Sequence, residues 1–177
     1  MANRKLEDHG EYIQGDFLEL PFDDNFFDCT ICLNVLFHVP KEKQVAFVRK
    51  LIKVTKPGGK IVLIYANSHS LLRKLALPLT LAKSVVKKAT RYTSKRLYYH
   101  ANPLVWWDQF DDEAEISLHP HRSMSTSIHK AFFPNNALGE KLFEWLGNLE
   151  EVYPDFFVRN FEFPFVVLTP KPMSHLS

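Results

Sequence analysis

The chain has 177 residues, 46% of them apolar and 14% aromatic, which suits one globular domain and is too short for two of full size. Lys and Arg number 22 against 20 Asp and Glu, a net charge of +2, too small to support a nucleic-acid-binding role from global electrostatics. Two cysteines, Cys29 and Cys32, exclude a small secreted disulfide framework, and no apolar run reaches the about 18 residues of a membrane span. The start of the chain lacks the apolar core of a signal peptide, so a soluble, cytoplasmic protein is expected.

Residues 2–9 are polar and helix-permissive and stop at Gly10, which predicts the last turns of a helix with a glycine cap. Tyr12 and Ile13 form a very short predicted strand that ends at Gly15-Asp16. A loop, Phe17-Leu18-Glu19-Leu20-Pro21-Phe22, and the turn-rich Asp23-Asp24-Asn25 follow. Phe26 to Leu33 is a continuous apolar run with β-branched members, the pattern of a central strand covered on both faces.

From Lys41 to Val54, apolar Val45, Val48, Leu51, Ile52 and Val54 recur near helical spacing with Lys and Arg opposite, which predicts an amphipathic helix. Lys56-Pro57-Gly58-Gly59-Lys60 reads as a tight turn, and Ile61 to Tyr65 as a second buried strand. Strand, helix and strand make a right-handed parallel βαβ unit.

Residues 66–134 differ in composition. Between Leu71 and His100 stand eight basic residues and no acidic one, and Asp108, Asp111, Asp112, Glu113 and Glu115 follow closely, a charge dipole that the net +2 conceals. A helical cap or insert is expected here. Leu71 to Ala89 carries an apolar stripe opposite its lysines, with a break at Pro78. Packing on the sheet domain is the commoner use of such a helix; peripheral contact with an anionic membrane through residues 71–100 is the other. Asn135 to Leu149 is again helical, and Asp155–Val158 and Phe163–Thr169 read as a closing hairpin. The expected layout is thus residues 1–65 as a partial core, 66–134 as the insert and 135–177 completing the same domain.

The order of Gly15-Asp16, the Leu-Pro-Phe loop, the Phe27-Asp28 strand running into Asn34-Val35-Leu36-Phe37-His38-Val39-Pro40, a helix, and Lys56-Pro57-Gly58-Gly59-Lys60 before a strand resembles the class I S-adenosylmethionine-dependent methyltransferases. The resemblance covers Tyr12 to Tyr65 and again the end of the chain. It implies an α/β Rossmann-like fold, mostly parallel, with a C-terminal antiparallel hairpin, and S-adenosyl-L-methionine as cofactor. In that family the residue matching Asp16 accepts a hydrogen bond from the adenine amino group and the next, here Phe17, borders the ring; Leu33 and Asn34 match positions lining the methionine end. An α/β sheet binds ligands at the carboxyl ends of its strands, and both Asp16 and Asn34 sit just past predicted strand ends. Taken alone, Asp16 reads better as a loop carboxylate bonding local N–H groups, and only the surrounding motif order reverses that.

His38 has two readings that the sequence leaves open: a general base for the methyl acceptor, or a packing histidine at a helix start, since methyl transfer from an activated sulfonium needs chiefly in-line proximity. Cys29 and Cys32 lie three apart in a strand, on opposite faces, and so share neither a metal nor a disulfide. His119, His121 and His129 lack a ligand spacing. Trp106 and Trp107 either line an acceptor pocket or anchor the insert. The strand end reads Asn34-Val35-Leu36-Phe37 rather than the Asn-Pro-Pro-Tyr of enzymes that methylate amide or adenine nitrogens, which disfavours nucleic-acid acceptors and leaves a small-molecule or lipid-like acceptor, methylated on oxygen or carbon.

No Gly-x-Gly occurs in the chain, although the family places a glycine-rich cofactor turn after its first strand. The expectation is a truncated or partial enzyme, some ~60 residues short at its N-terminal side, whose Phe26–Leu33 strand has an open edge and which needs a missing segment or a partner chain. The rival reading is a non-catalytic remnant or interaction subunit that presents its basic segment to a membrane or partner.

Overall fold

A computed structural model describes residues 10–71, 97–122 and 134–172. The helix expected over residues 2–9, most of the basic stretch from Leu71 to Ala89, and His129 lie outside them. Strand β1 (Phe27–Cys32), helix α1 (Lys41–Val54) and strand β2 (Thr55–Ile64) form the expected βαβ unit, β1 and β2 being parallel. Strand β3 (Ala114–Arg122), helices α2 (Ala137–Val152) and α3 (Pro154–Asn160), and strand β4 (Phe163–Pro170) complete it, and the sheet order is β1-β2-β4-β3.

Helix α1 has the bounds its periodicity predicts. Phe47, Val48, Leu51 and Val54 recur at three- and four-residue spacing and are buried against Ile61, Leu63, Val166 and Leu168, the last four and Val48 all fully so. The helix runs into β2 with no glycine cap: the Thr55 hydroxyl donates to Leu51 O at 2.8 Å and meets the Thr30 hydroxyl at 2.7 Å, tying helix end to both strands. A 3-10 helix, Leu104–Phe110, adds Trp107 and Phe110 to the same core.

Several expectations change. Tyr12 and Ile13 form no strand and stay exposed, since no described strand lies beside them. Among the described strands β1 pairs only with β2, which keeps the open edge expected for it, but it is not covered on both faces as its apolar run suggests: Ile31 is 65% exposed. Pro57-Gly58-Gly59 lies inside β2 as a bulge, not as a turn between helix and strand. Two residues of β1 span five of β2 between the Phe27–Thr55 and Cys29–Lys60 pairs. Gly58 has φ +77°, and a Cβ on Gly59 would stand 2.7 Å from Asp28 O, so both glycines are required there.

Of the three strand pairings only one is parallel; β2–β4 and β3–β4 are antiparallel. Residues 114–122, assigned from sequence to a helical insert, are a strand of the sheet. Asp155–Val158 is helical: Pro154 occupies the first turn, Asp155 favours the helix N-terminus, and Phe157 and Val158 are buried where α3 packs on β3. The antiparallel partners of β4 are therefore β2 and β3 rather than an adjacent hairpin strand. Helix α2 starts at Asn136, whose side chain accepts from Gly139 N at 3.1 Å.

Candidate functional site

Parallel pairing turns the carboxyl ends of β1 and β2 the same way, the side on which such sheets hold ligands. Beyond Cys32 the chain passes exposed Leu33, Asn34 and Val35, with Asn34 left-handed at φ +59°, a reversal its short polar side chain tolerates. Leu36 and Phe37 are then buried and anchor a 3-10 turn, Leu36–His38, so His38 is held at the surface directly before α1.

Asp16 occupies the loop below α1. One carboxylate oxygen accepts from Leu18 N at 3.0 Å; the other lies 3.8 Å from Lys43 Nζ in the first turn of α1, and the side chain remains 45% exposed. The ring of Phe17 packs on Phe47 of α1 at 5.0 Å between centroids, and Lys50 Nζ stands over it at 5.3 Å while donating to Leu18 O and Leu20 O. Asp16 and Phe17 are thus brought to the flank of α1 whose start carries the Leu33–His38 loop; no hydrogen bond or ring contact joins the two groups directly among the described residues.

Sequence reasoning missed the polar cluster under that loop. Gln44, 1% exposed, donates through Nε2 to Leu36 O (3.0 Å), Val39 O (3.1 Å) and His100 O (3.3 Å), and its Oε1 accepts from Asn102 Nδ2 at 2.6 Å. Asn102 Oδ1 faces His100 Nε2 at 3.0 Å, and Asn102 O accepts from the buried Tyr65 hydroxyl just beyond β2. Burial pushes the pKa of Tyr65 well above the usual phenol range, which keeps this hydroxyl a donor. A signal existed: Gln44 falls at the helical spacing of Phe47, Val48 and Leu51, and a polar residue in that register must find partners in the core.

Segment 97–102, which returns to the sheet here, also bonds His38 Nδ1 through Tyr98 O at 2.7 Å and receives Lys41 N at the Tyr98 hydroxyl, 2.9 Å away. That hydroxyl serves as the cap that Pro40 cannot provide for α1.

The other candidates resolve simply. Cys29 is exposed and Cys32 buried, on opposite faces as the strand period requires; burial pushes the Cys32 thiol up to about 11. His121 stacks near Phe165 at 4.0 Å and His119 meets Ser117, and no group of metal-binding side chains exists among the described residues. Trp107 is 2% exposed against Tyr65 and Phe110, an anchor rather than a pocket wall. Along the free side of β1 runs a groove of about 660 Å³ lined by Phe17, Phe22, Phe26, Ile31 and Val54 among others.

A mixed α/β sheet with one parallel βαβ unit defines a Rossmann-like fold. The fold matches that of a SAM-dependent methyltransferase from Archaeoglobus fulgidus (TM-score 0.51, 11% identity, 90% of this chain and 66% of that one) and of the PH0226 protein from Pyrococcus horikoshii (TM-score 0.50, 15% identity, 91% and 59%). Residues 1–63 match the family model described as a methyltransferase domain. The ubiquinone/menaquinone biosynthesis C-methyltransferase UbiE of Yersinia pestis is 39% identical over 82 residues, 43% of this chain and 31% of that protein. An uncharacterised protein of Methanocaldococcus jannaschii is 37% identical over 62 residues, 35% of this chain and 26% of the relative. The first 63 residues of this chain are thus similar to a methyltransferase domain, and its match spans between a quarter and a third of those curated relatives.

The described residues fit the cofactor as one wall of its site. Asp16 keeps acceptor capacity, because its second oxygen is beyond hydrogen-bond range of Lys43. Phe17 has a half-exposed ring, and Leu33 and Asn34 are open to ligand. Phe17 also lines the groove along the free side of β1, with which no described strand pairs.

Proposed function

We propose that this chain takes part in S-adenosylmethionine-dependent methyl transfer to a small-molecule or lipid-like acceptor, on carbon or oxygen, and that a segment or partner added at the free edge of β1 completes its cofactor site. The observation that supports this best is the convergence of Asp16–Phe17 and the Leu33–His38 loop on α1 beside the carboxyl end of a strand with one open edge. When bound, the cofactor supplies a methyl group already activated on sulfur. Asp16 offers an oxygen to the adenine amino group, Phe17 borders the base, and Leu33 and Asn34 line the methionine end. The C-methyltransferase activity named for the Yersinia relative supports a carbon acceptor on a lipid-like molecule. We assign to His38 the proton that the acceptor loses.

Calorimetric titration with S-adenosylhomocysteine tests this. We expect no micromolar binding by the chain alone, and micromolar binding by a chimera carrying the Yersinia UbiE segment that precedes the matched region. Binding by the chain alone would overturn the completion at β1; failure of both would overturn the cofactor reading.

A further inference from the structure

His38 ends the 3-10 turn after β1, its imidazole exposed to solvent on one side and set against the edges of Phe37 (4.7 Å) and Tyr99 (6.4 Å). Its Nδ1 lies 2.7 Å from the carbonyl oxygen of Tyr98. A carbonyl accepts and never donates, so the contact requires the proton on Nδ1. In a neutral imidazole the other nitrogen, Nε2, then carries the lone pair.

We propose that segment 97–102 is a strap that fixes His38 as its Nδ1–H tautomer, making Nε2 the proton-accepting atom of the site, and that Gln44 is the positioning residue that holds the strap. Three attachments carry the strap, all of them to helix α1. Asn102 is bonded to Gln44 on the buried side of α1, His100 O accepts from the same Gln44 amide, and the Tyr98 hydroxyl accepts from Lys41 N at the start of α1. The backbone supports this seating, with His100 N donating to Phe37 O at 2.8 Å and Ser68 N to Asn102 O at 3.1 Å. The Gln44 amide also donates to Leu36 O and Val39 O, on either side of His38. One buried side chain therefore grips both the turn that carries the imidazole and the strand of chain that orients it. A carbonyl partner held from two sides selects one tautomer, as a freely moving one would not.

The purpose assigned to this geometry rests on the methyl-transfer reading; the geometry itself does not. In that reaction the acceptor's oxygen or carbon forms its bond to the methyl group as the carbon–sulfur bond breaks and its electron pair goes to sulfur. The acceptor's proton passes to Nε2, and the positive charge lost from the sulfonium ends on the imidazolium. Nδ1–H remains bonded to Tyr98 O throughout, so the ring keeps its place while its charge changes.

The test is long-range proton–nitrogen correlation NMR on the full chain labelled with 15N-histidine, with the His38 signals assigned by their absence in His38→Gln. We expect a protonated Nδ1 and an unprotonated Nε2 in the neutral ring. Tyr98→Phe, which removes only the hydroxyl attachment, is expected to lose part of the Nδ1–H signature, and Gln44→Leu most of it. An Nε2–H tautomer in the native chain would overturn the proposal, and a native signature that survives in Tyr98→Phe and Gln44→Leu alike would remove the strap and Gln44 from it. If Gln44→Leu does not fold, Tyr98→Phe alone decides. The completed chimera lacking methyl transfer while the tautomer holds would sink the function and leave this geometry standing.

Discussion

Ile31 separates an edge strand from a central one by energy. Fully burying an isoleucine side chain stabilises a protein by about 1.5–3 kcal/mol, and with 65% of the residue exposed roughly two-thirds of that, about 1–2 kcal/mol, is unrealised in this chain. Replacing it with Lys keeps an aliphatic stem over the same surface and leaves the ammonium in water. We expect Ile31→Lys to cost the chain alone less than about 1 kcal/mol, and to reduce edge-to-edge association, since a charged side chain on a free edge opposes strand addition. In the chimera completed at β1 the same substitution forfeits the realised burial and places an amine at a covered strand, a loss of at least about 3 kcal/mol. Urea denaturation followed by tryptophan fluorescence, reporting on the buried Trp107, measures the stabilities, and light scattering the association. A loss above about 2 kcal/mol in the chain alone would refute the edge position of β1. Equal small losses in chain and chimera would refute completion there.

Four further outcomes are expected. Asp16→Ala in the completed chimera should weaken S-adenosylhomocysteine about tenfold, one hydrogen bond of about 1.4 kcal/mol, with the unfolding midpoint nearly unchanged; calorimetry reads it. Iodoacetamide at pH 8 should label Cys29 and spare Cys32, whose buried thiol is pushed up from 9.0 to about 11. Because that folded value is raised, the contribution is complete below pH 9 and is lost as pH rises toward 11, so Cys32→Ala should flatten the fall in stability across that window. Lys87→Glu with Lys88→Glu should abolish co-sedimentation with anionic vesicles; negligible pelleting of both the native chain and the variant would remove the membrane contact proposed for residues 71–100.

What was legible in the sequence was whatever a period or an ordered motif carries. Helix α1 was legible to the residue because Val45, Val48, Leu51, Ile52 and Val54 recur near its turn, although the structure buries Phe47 rather than Val45 and Ile52 most deeply with the others. β1 was legible as a strand from its apolar run, and its open edge from the missing glycine-rich turn; its exposed Ile31 was not, since an apolar run reports what a strand is suited to touch and not whether a neighbour is present. Asp155–Val158 reads as a strand by its Phe-Phe-Val, yet Pro154 and Asp155 open a helix, and burial of Phe157 and Val158 against β3 favours it. At the candidate site, motif order nominated Asp16, Phe17, Leu33 and Asn34 for the cofactor role proposed above. The strap at Tyr98, His100 and Asn102 was not, because its partners lie 56 to 60 positions away and no local pattern encodes contacts at that distance.

The open edge and the site pose one physical problem. β1 offers α1 a buried face through Cys32 while Phe26, Ile31, Leu33 and Val35 remain exposed, and the same strand ends in the loop proposed to meet the cofactor. A strand added there would bury those side chains and supply the wall opposite Asn34 at once, so folding and ligand binding should be linked in the completed protein. Ligand that binds only the folded form at 100 times its dissociation constant adds about 2.7 kcal/mol. S-adenosylhomocysteine should therefore raise the unfolding midpoint of the chimera in proportion to its logarithmic concentration and leave that of the chain alone where it was. A midpoint that rises equally in both would place the cofactor on residues the chain already has, and would make the open edge irrelevant to binding.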